Sequence, residues 1–381
     1  MKKTFKDRLS DALLIVIKPL GTIWMRLDMK IKVFNEGVNF RRKEPYVLLG
    51  NHVYEFDVVE LARLWKITPV IVSSQLLLTV KGLKFLLKHV AKTIPKSKGE
   101  ADLRTAKALI RSVKKGYPIL IFPEGDSTFF GETGHIEYST AKLIKKLKVD
   151  VIAGLFEGGF LGKPRWAFGK RKNRRVDLHM KPIIPKEKIP DLSVDEIYEI
   201  ICKELYHNDY EWQRKTMHSY GGENLAEGIT NVIYCCPECE SLNTLVAKGK
   251  EIECIHCNTK GYMDDYGFIH GFKYDNLLDW NKFQRTQKDR LMNSNFKTTG
   301  TLVYVDLEAE KRNVIGQITL EYKNNEVIMG GVVQKSFKID EMLYPVITMM
   351  RNFSFEFDGV YYMIKLDNHA MSFLRICQDK Y

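Results

Sequence analysis

The chain has 381 residues, of which 45% are hydrophobic and 28% charged, with a formal charge of +12 at pH 7. That length accommodates two or three domains with full cores, and the ordinary apolar fraction excludes a disordered or fibrous chain. The charge is lopsided: residues 1–217 hold 41 Lys and Arg against 25 Asp and Glu, a balance of +16, while the remainder stands at −4. Any affinity for anionic lipid, an acidic carrier protein or nucleic acid therefore belongs to the first half.

The N-terminal residues Met1–Arg8 are basic, and Ala12–Ile17 are apolar up to Lys18-Pro19. Six apolar residues are far short of the roughly 20 that a bilayer requires, and no small-residue cleavage site follows them. Leu20, Ile23, Trp24, Met25 and Leu27 extend the apolar content past the proline, flanked by Lys18, Arg26, Lys30 and Lys32. The pattern predicts a pair of amphipathic helices within residues 1–35, lying in the interface of an anionic membrane with Trp24 at headgroup depth. Such a protein would be peripheral to the cytoplasmic face and not secreted. A helix packed on the domain core is the competing reading.

Residues 36–217 read as an α/β domain. Strand segments at Tyr46–Leu49, Val70–Ser73, Ile119–Phe122, Val151–Phe156 and Val176–Met180 alternate with helical segments near Val58–Trp65, Leu83–Val90, Asp102–Lys114 and Ser139–Lys146. The first strand runs into Asn51-His52-Val53-Tyr54-Glu55-Phe56-Asp57. Five residues turn through about 140° on an ideal helix, so His52 and Asp57 meet only if the first ends a strand and the second starts the next helix. There a carboxylate accepts the Nδ1 proton of the ring and leaves Nε2 to take a proton from a substrate hydroxyl. The spacing by itself is weak, since His270-Gly-Phe-Lys-Tyr-Asp275 repeats it without a supporting motif.

Support for His52 comes from Lys115–Thr128, where an apolar strand ends in Phe122-Pro123-Glu124-Gly125. Glycine after a strand permits close backbone approach to a polar group. With Asn51, His52 and Asp57 as N-H-x4-D and residues 122–125 as F-P-E-G, the chain resembles the glycerolipid acyltransferase family, which includes 1-acylglycerol-3-phosphate acyltransferases. A weaker third match is Val149–Gly158, and the resemblance covers roughly residues 1–215. It implies acyl transfer from acyl-CoA or acyl-carrier protein to the hydroxyl of a lysophospholipid, 1-acylglycerol-3-phosphate first among them, to give phosphatidate. It also implies His52 as base, Asp57 as its orienting group, and Asn51, Glu124 and Gly125 about the acceptor. A thioester is already activated, so no catalytic cofactor is called for.

The chain departs from that pattern after Gly125, where the family has a small residue and then Arg to hold phosphate. Here Asp126 and Ser127 stand instead, with the Ser127 hydroxyl and nearby backbone N–H groups left to cradle an anion. Lys96, Lys98 and Arg104 are the cations available for phosphate, the lysines as point charges without a bidentate fork. Other lysophospholipid acceptors remain open on this reading.

A second basic run, Lys163–Arg175, interleaves cations with Trp166 and Phe168. It suits single-stranded nucleic acid, a lipid surface, an acidic carrier protein or a solvated hairpin tip. Residues 218–233 read as a linker punctuated by Gly221, Gly222 and Gly228. Cys236-x2-Cys239 and Cys254-x2-Cys257, fourteen residues apart, have zinc-ribbon spacing over residues 234–265, and predict a closed, structural Zn²⁺ site of four thiolates. Paired disulfides are the alternative, which an absent secretion signal disfavours. Ribbons also bind nucleic acid, making an adaptor with an inactive acyltransferase domain the rival from another class; the net negative charge of residues 218–381 counts against it. From residue 266 onward, short alternating runs such as Leu302–Asp306, Gly316–Tyr322, Phe353–Phe357 and Tyr361–Leu366, closed by a helix over Ala370–Cys377, predict a small β-sandwich or pleckstrin-homology-like barrel.

Overall fold

The computed structural model describes residues 5–80, 82–96 and 103–378 and divides into two units, residues 1–162 with 174–215 and residues 163–173 with 216–381. Residues 1–4, Lys98 and the Trp24 side chain lie outside the described parts. The first unit opens with one helix, α1 (Phe5–Asp28), which runs through Pro19 where the sequence predicts a break. An internal proline removes a helical hydrogen bond at a cost of about 3 kcal/mol. Anchors on both sides of it offset that cost: before it, Ser10 Oγ donates to the Val90 carbonyl at 2.6 Å and Lys18 Nζ to the Trp65 carbonyl at 2.7 Å, and after it Asp28 pairs with Arg174 at 2.9 Å. No helix among the described residues is long and apolar enough to cross a membrane.

The strands that follow are β1 (Lys30–Asn35), β2 (Val47–Gly50), β3 (Val70–Ser74), β4 (Thr93–Lys96), β5 (Ile119–Ile121), β6 (Val151–Glu157) and β7 (Arg175–Ile184). They form one sheet in the order β1-β7-β6-β2-β5-β3-β4. The strands from β6 to β4 are parallel to their neighbours, while β7 is antiparallel to β6. Because β2 is wholly buried, it is apolar on both faces, and its alternate side chains feed two cores. Val47 and Leu49 pack with Leu109, Val113, Ala141, Ile144, Ile197 and Ile201 of the helices Leu103–Lys114, Tyr138–Leu147 and Val194–Leu205. Tyr46 and Leu48 pack on the opposite face with Met29, Leu61 and Trp65. Helix α2 (Asp57–Arg63) belongs to this second face. Its Leu61 sits over Gly50 and Gly154, which pair across β2 and β6, and a Cβ at Gly50 would stand 2.7 Å from Leu61 Cδ1. The bare backbone there lets α2 close onto the sheet and sets the height of Asp57.

In the second unit, β8 (Leu245–Lys248), β9 (Glu251–Cys254), β10 (Lys260–Met263) and β11 (Ile269–His270) form a small antiparallel sheet. A seven-stranded antiparallel sheet follows, built from β12 (Phe296–Asp306), β13 (Lys311–Lys323), β14 (Glu326–Gly331), β15 (Lys335–Lys338), β16 (Leu343–Thr348), β17 (Asn352–Phe357) and β18 (Val360–Leu366). Its order, β15-β14-β13-β12-β18-β17-β16, with the helix Ala370–Cys377 behind it, makes an antiparallel half-barrel, the β-rich domain expected from residue 266 onward. The basic run over residues 163–173 is not a solvated tip. Trp166 is buried, Arg165 donates to the carbonyls of Ile347 and Met349, and Arg171 to that of Leu225. These guanidinium groups satisfy buried carbonyls, and are taken up by the unit's own structure.

Candidate active site

The site is assembled at the carboxyl end of β2, where the strand gives way to a tight turn before α2. Asn51 fastens that end to β6: its Oδ1 accepts from the Phe156 amide at 2.7 Å and its Nδ2 donates to the Phe156 carbonyl at 2.9 Å. Both ends of the amide are therefore engaged by one backbone residue. His52 comes next, and its Nδ1 stands 2.8 Å from Asp57 Oδ2. The same oxygen accepts the Val53 amide at 2.9 Å, and Asp57 is fully buried. A carboxylate that only accepts fixes the proton on Nδ1 and leaves Nε2 as the acceptor. The His52 side chain keeps 24% of its exposure, enough for Nε2 to meet a substrate. Burial disfavours the charged ring, yet the charge of Asp57 and its hydrogen bond, aided by Asp126 and Glu124, outweigh it and raise the His52 pKa above its usual value.

Residues 122–134 wrap around the His52 backbone. Glu124 Oε1 accepts the His52 N–H at 2.7 Å, and the Thr128 N–H donates to the His52 carbonyl at 2.9 Å. Glu124 Oε2 accepts the Gly134 N–H at 2.6 Å. One buried carboxylate thus joins the histidine turn to the far end of the loop. The turn itself needs glycine, since Gly125 has φ +73°. The Phe122 ring lies against His52, centroids 4.7 Å apart. Burial pushes the Glu124 carboxyl up to about 7, against the pull of its two amide donors.

A shallow cavity lies here, lined by residues including His52, Glu124, Thr128, Glu132, Thr133 and His207. Ser127 is buried beside Asp126, whose Oδ1 accepts the Ser127 N–H at 3.0 Å. Of the cations singled out from sequence, Lys96 ends β4, three strands from β2 in the sheet. That is about 14 Å at normal strand spacing. Arg104 is exposed on the helix Leu103–Lys114. Neither lines the cavity. The sequence reading missed the lining threonines and His207, whose Nε2 pairs with buried Asp209 at 2.5 Å. The decoy histidine, His270, bonds Asp264 rather than Asp275.

In the second unit, Cys236, Cys239, Cys254 and Cys257 place their sulfurs within 4.8 Å of one another. The pairs Cys236–Cys257 and Cys239–Cys254 are 3.9 and 3.8 Å apart. Tetrahedral Zn–S bonds of about 2.3 Å require edges of about 3.8 Å, so the four thiols fit that ion. The two knuckles share one geometry. In each, the first cysteine's carbonyl accepts from the amide four residues on, and that residue, Glu240 or Asn258, has positive φ. Four protein ligands close the site, so it is compatible with structural metal and leaves no open coordination position.

Residues 30–154, from β1 into β6, match the family model described as Acyltransferase. No curated protein matches the chain. Among solved structures, the crystal structure of the 1-acyl-sn-glycerophosphate (LPA) acyltransferase from Thermotoga maritima is similar, with a TM-score of 0.45 and 15% identity over 57% of this chain and 85% of that one.

Proposed function

We propose that the acyltransferase domain at residues 30–154 moves a fatty acyl group from a thioester, acyl-CoA or acyl-carrier protein, to the free hydroxyl of a lysophospholipid, with 1-acylglycerol-3-phosphate as acceptor and phosphatidate as product. The observation that carries this reading is the His52–Asp57 pair, 2.8 Å apart at the end of β2 with the F-P-E-G loop hydrogen-bonded to both sides of the His52 peptide.

The acceptor hydroxyl attacks the thioester carbonyl while Nε2 of His52 takes its proton, and Asp57 stabilises the imidazolium that forms. The tetrahedral intermediate collapses by breaking the C–S bond. The departing thiolate receives the proton from His52, giving the ester and a free thiol. An oxyanion or a phosphate bound at residues 125–127 takes N–H donors in exchange for the bonds that Gly125 makes to the Phe122 carbonyl and Ser127 to Asp126 Oδ1. In this account Asn51 and Glu124 hold His52 in place, because backbone partners occupy their polar atoms. Gly125 gives room for the acceptor. Ser127, in the turn after Gly125, reads the acceptor headgroup, Lys96 and Arg104 lying away from the cavity, and an acceptor without a terminal phosphate monoester is the second reading, favoured by Ser127 in place of arginine.

Helix α1 carries the protein to the membrane. Leu20, Ile23 and Leu27 are 59–83% exposed on one face, with Arg26 and Lys30 beside them for anionic headgroups. The cytoplasmic leaflet is the matching surface. Zn²⁺ held by the four cysteines would serve as a fold staple and take no part in transfer. The test is an acceptor panel, with and without a phosphate monoester, assayed with acyl-CoA on the wild type and on His52→Ala.

A further inference from the structure

The helix Leu103–Lys114 presents Arg104, Lys107, Arg111 and Lys114 to solvent. Spacings of three, four and three residues put all four on one face, and residues 103–118 contain no Asp or Glu. The adjoining helix Tyr138–Leu147 adds exposed Lys142 and Lys146, again without an acid of its own. Like charges at such spacings destabilise a helix by a few tenths of a kcal/mol per pair, so helix stability does not account for the pattern. The stripe has a defined edge, since the next helix, Val194–Leu205, exposes Glu196 and Glu199.

Two features of the topology say what this face meets. The helix follows β4, which runs parallel to its one neighbour β3 and through it to β5 and β2, so Arg104 in its first turn lies at the same end of the sheet as His52 and Glu124. Its buried side, Leu109 and Val113, joins the core that contains Val47 and Leu49, whereas α1 is anchored on the other sheet face, where Lys18 reaches Trp65. The basic stripe and the apolar face of α1 are thus on opposite sides of the sheet. With α1 on a membrane, the stripe faces the aqueous phase. It is about 15 Å long at 1.5 Å per residue, and its charge calls for an acidic partner. Only Leu103 adds an exposed large hydrophobic group to it.

We infer that this face docks an acidic, helical acyl-carrier protein, which delivers its thioester to His52 past the Arg104 end of the stripe. The inference rests on the acyl transfer proposed above and selects the donor for it. The test compares the wild type with Lys107→Glu/Arg111→Glu/Lys114→Glu. Three readouts are taken: turnover with acyl-carrier protein and with acyl-CoA at equal acyl chain, direct binding of acyl-carrier protein by titration calorimetry, and co-sedimentation with vesicles containing phosphatidylglycerol. The triple variant should lose about tenfold or more in kcat/KM and in affinity for the carrier protein, a loss that added salt reproduces in the wild type. Turnover with acyl-CoA and vesicle binding should stay within about twofold. Equal loss with both donors, loss of vesicle binding, or unchanged carrier-protein affinity would each overturn the inference. Wild type inert with both donors would refute the acyl transfer instead, and calorimetry would still decide the docking face.

Discussion

Glu124→Gln isolates the link between the F-P-E-G loop and the catalytic base. Both carboxylate oxygens accept backbone N–H groups, from His52 at 2.7 Å and Gly134 at 2.6 Å, with the side chain buried. Glutamine has the same shape but one acceptor and one donor, so whichever way the amide turns, an NH₂ faces an N–H. A buried donor without a partner costs about 1–3 kcal/mol, and the lost charge-assisted bond falls in the same range. Together these destabilise the domain by about 2–4 kcal/mol and let the His52 turn relax. A displacement near 1 Å costs about 100-fold in rate. The expected result is a fall of about that size in kcat, with KM for the acceptor within about threefold of wild type. Steady-state kinetics against both substrates, beside a urea melt, read the two effects separately. If KM for the acceptor rises while kcat is kept, Glu124 binds substrate and the positioning argument is wrong.

Further outcomes follow from the same geometry. His52 works as a base only when unprotonated, and its pKa is raised; protonation of Glu124, near 7, removes an acceptor from the His52 N–H. Both losses occur on the acid side, so kcat/KM should climb as pH rises from 6 to 8, and a profile falling over that range would contradict the assignment. Purified protein should contain about one zinc per chain by elemental analysis, and chelation or Cys254→Ser should lower the melting temperature of the second unit while acyl transfer persists at temperatures where it stays folded. Finding no bound metal under reducing conditions would count against the site. Ile23→Glu with Leu27→Glu removes two exposed apolar side chains from α1, each worth about 1.5 kcal/mol of membrane burial. Vesicle partitioning should weaken about 100-fold with the melt unchanged; undiminished partitioning would place the membrane contact elsewhere.

Much of the first unit was readable because its central strands are buried on both sides. Runs such as Tyr46–Leu49 and Ile119–Phe122 have no solvent face to disguise them, and the observed β2 and β5 fall within a residue or two of those limits. His52 and Asp57 were readable because their chemistry depends on a short sequence interval. β1 and β4 were not, for β1 mixes charged and apolar residues at the sheet edge and β4 contains Pro95. The helix expected over Leu83–Val90 is a short turn ending in a wider one at Leu86–Val90, a distinction that side-chain periodicity does not encode. Roles fixed by long-range partners were equally hidden. Asn51 spends its amide on Phe156, Glu124 serves Gly134 as well as His52, and Arg165 finds carbonyls more than 180 residues away. A basic run looks the same in sequence whether its guanidinium groups face water or cap buried carbonyls. The cysteines were the opposite case, since knuckle spacing itself carries the tetrahedral geometry.

The account stands on His52 as the base that deprotonates a lysophospholipid hydroxyl. The direct measurement is initial acyl-transfer rate from acyl-CoA across an acceptor panel led by 1-acylglycerol-3-phosphate, for wild type and folded, zinc-replete His52→Ala. The account predicts ester formation by wild type and a loss of at least about 1,000-fold in the variant. Undiminished turnover by His52→Ala, or no acceptor acylated by wild type, would contradict it.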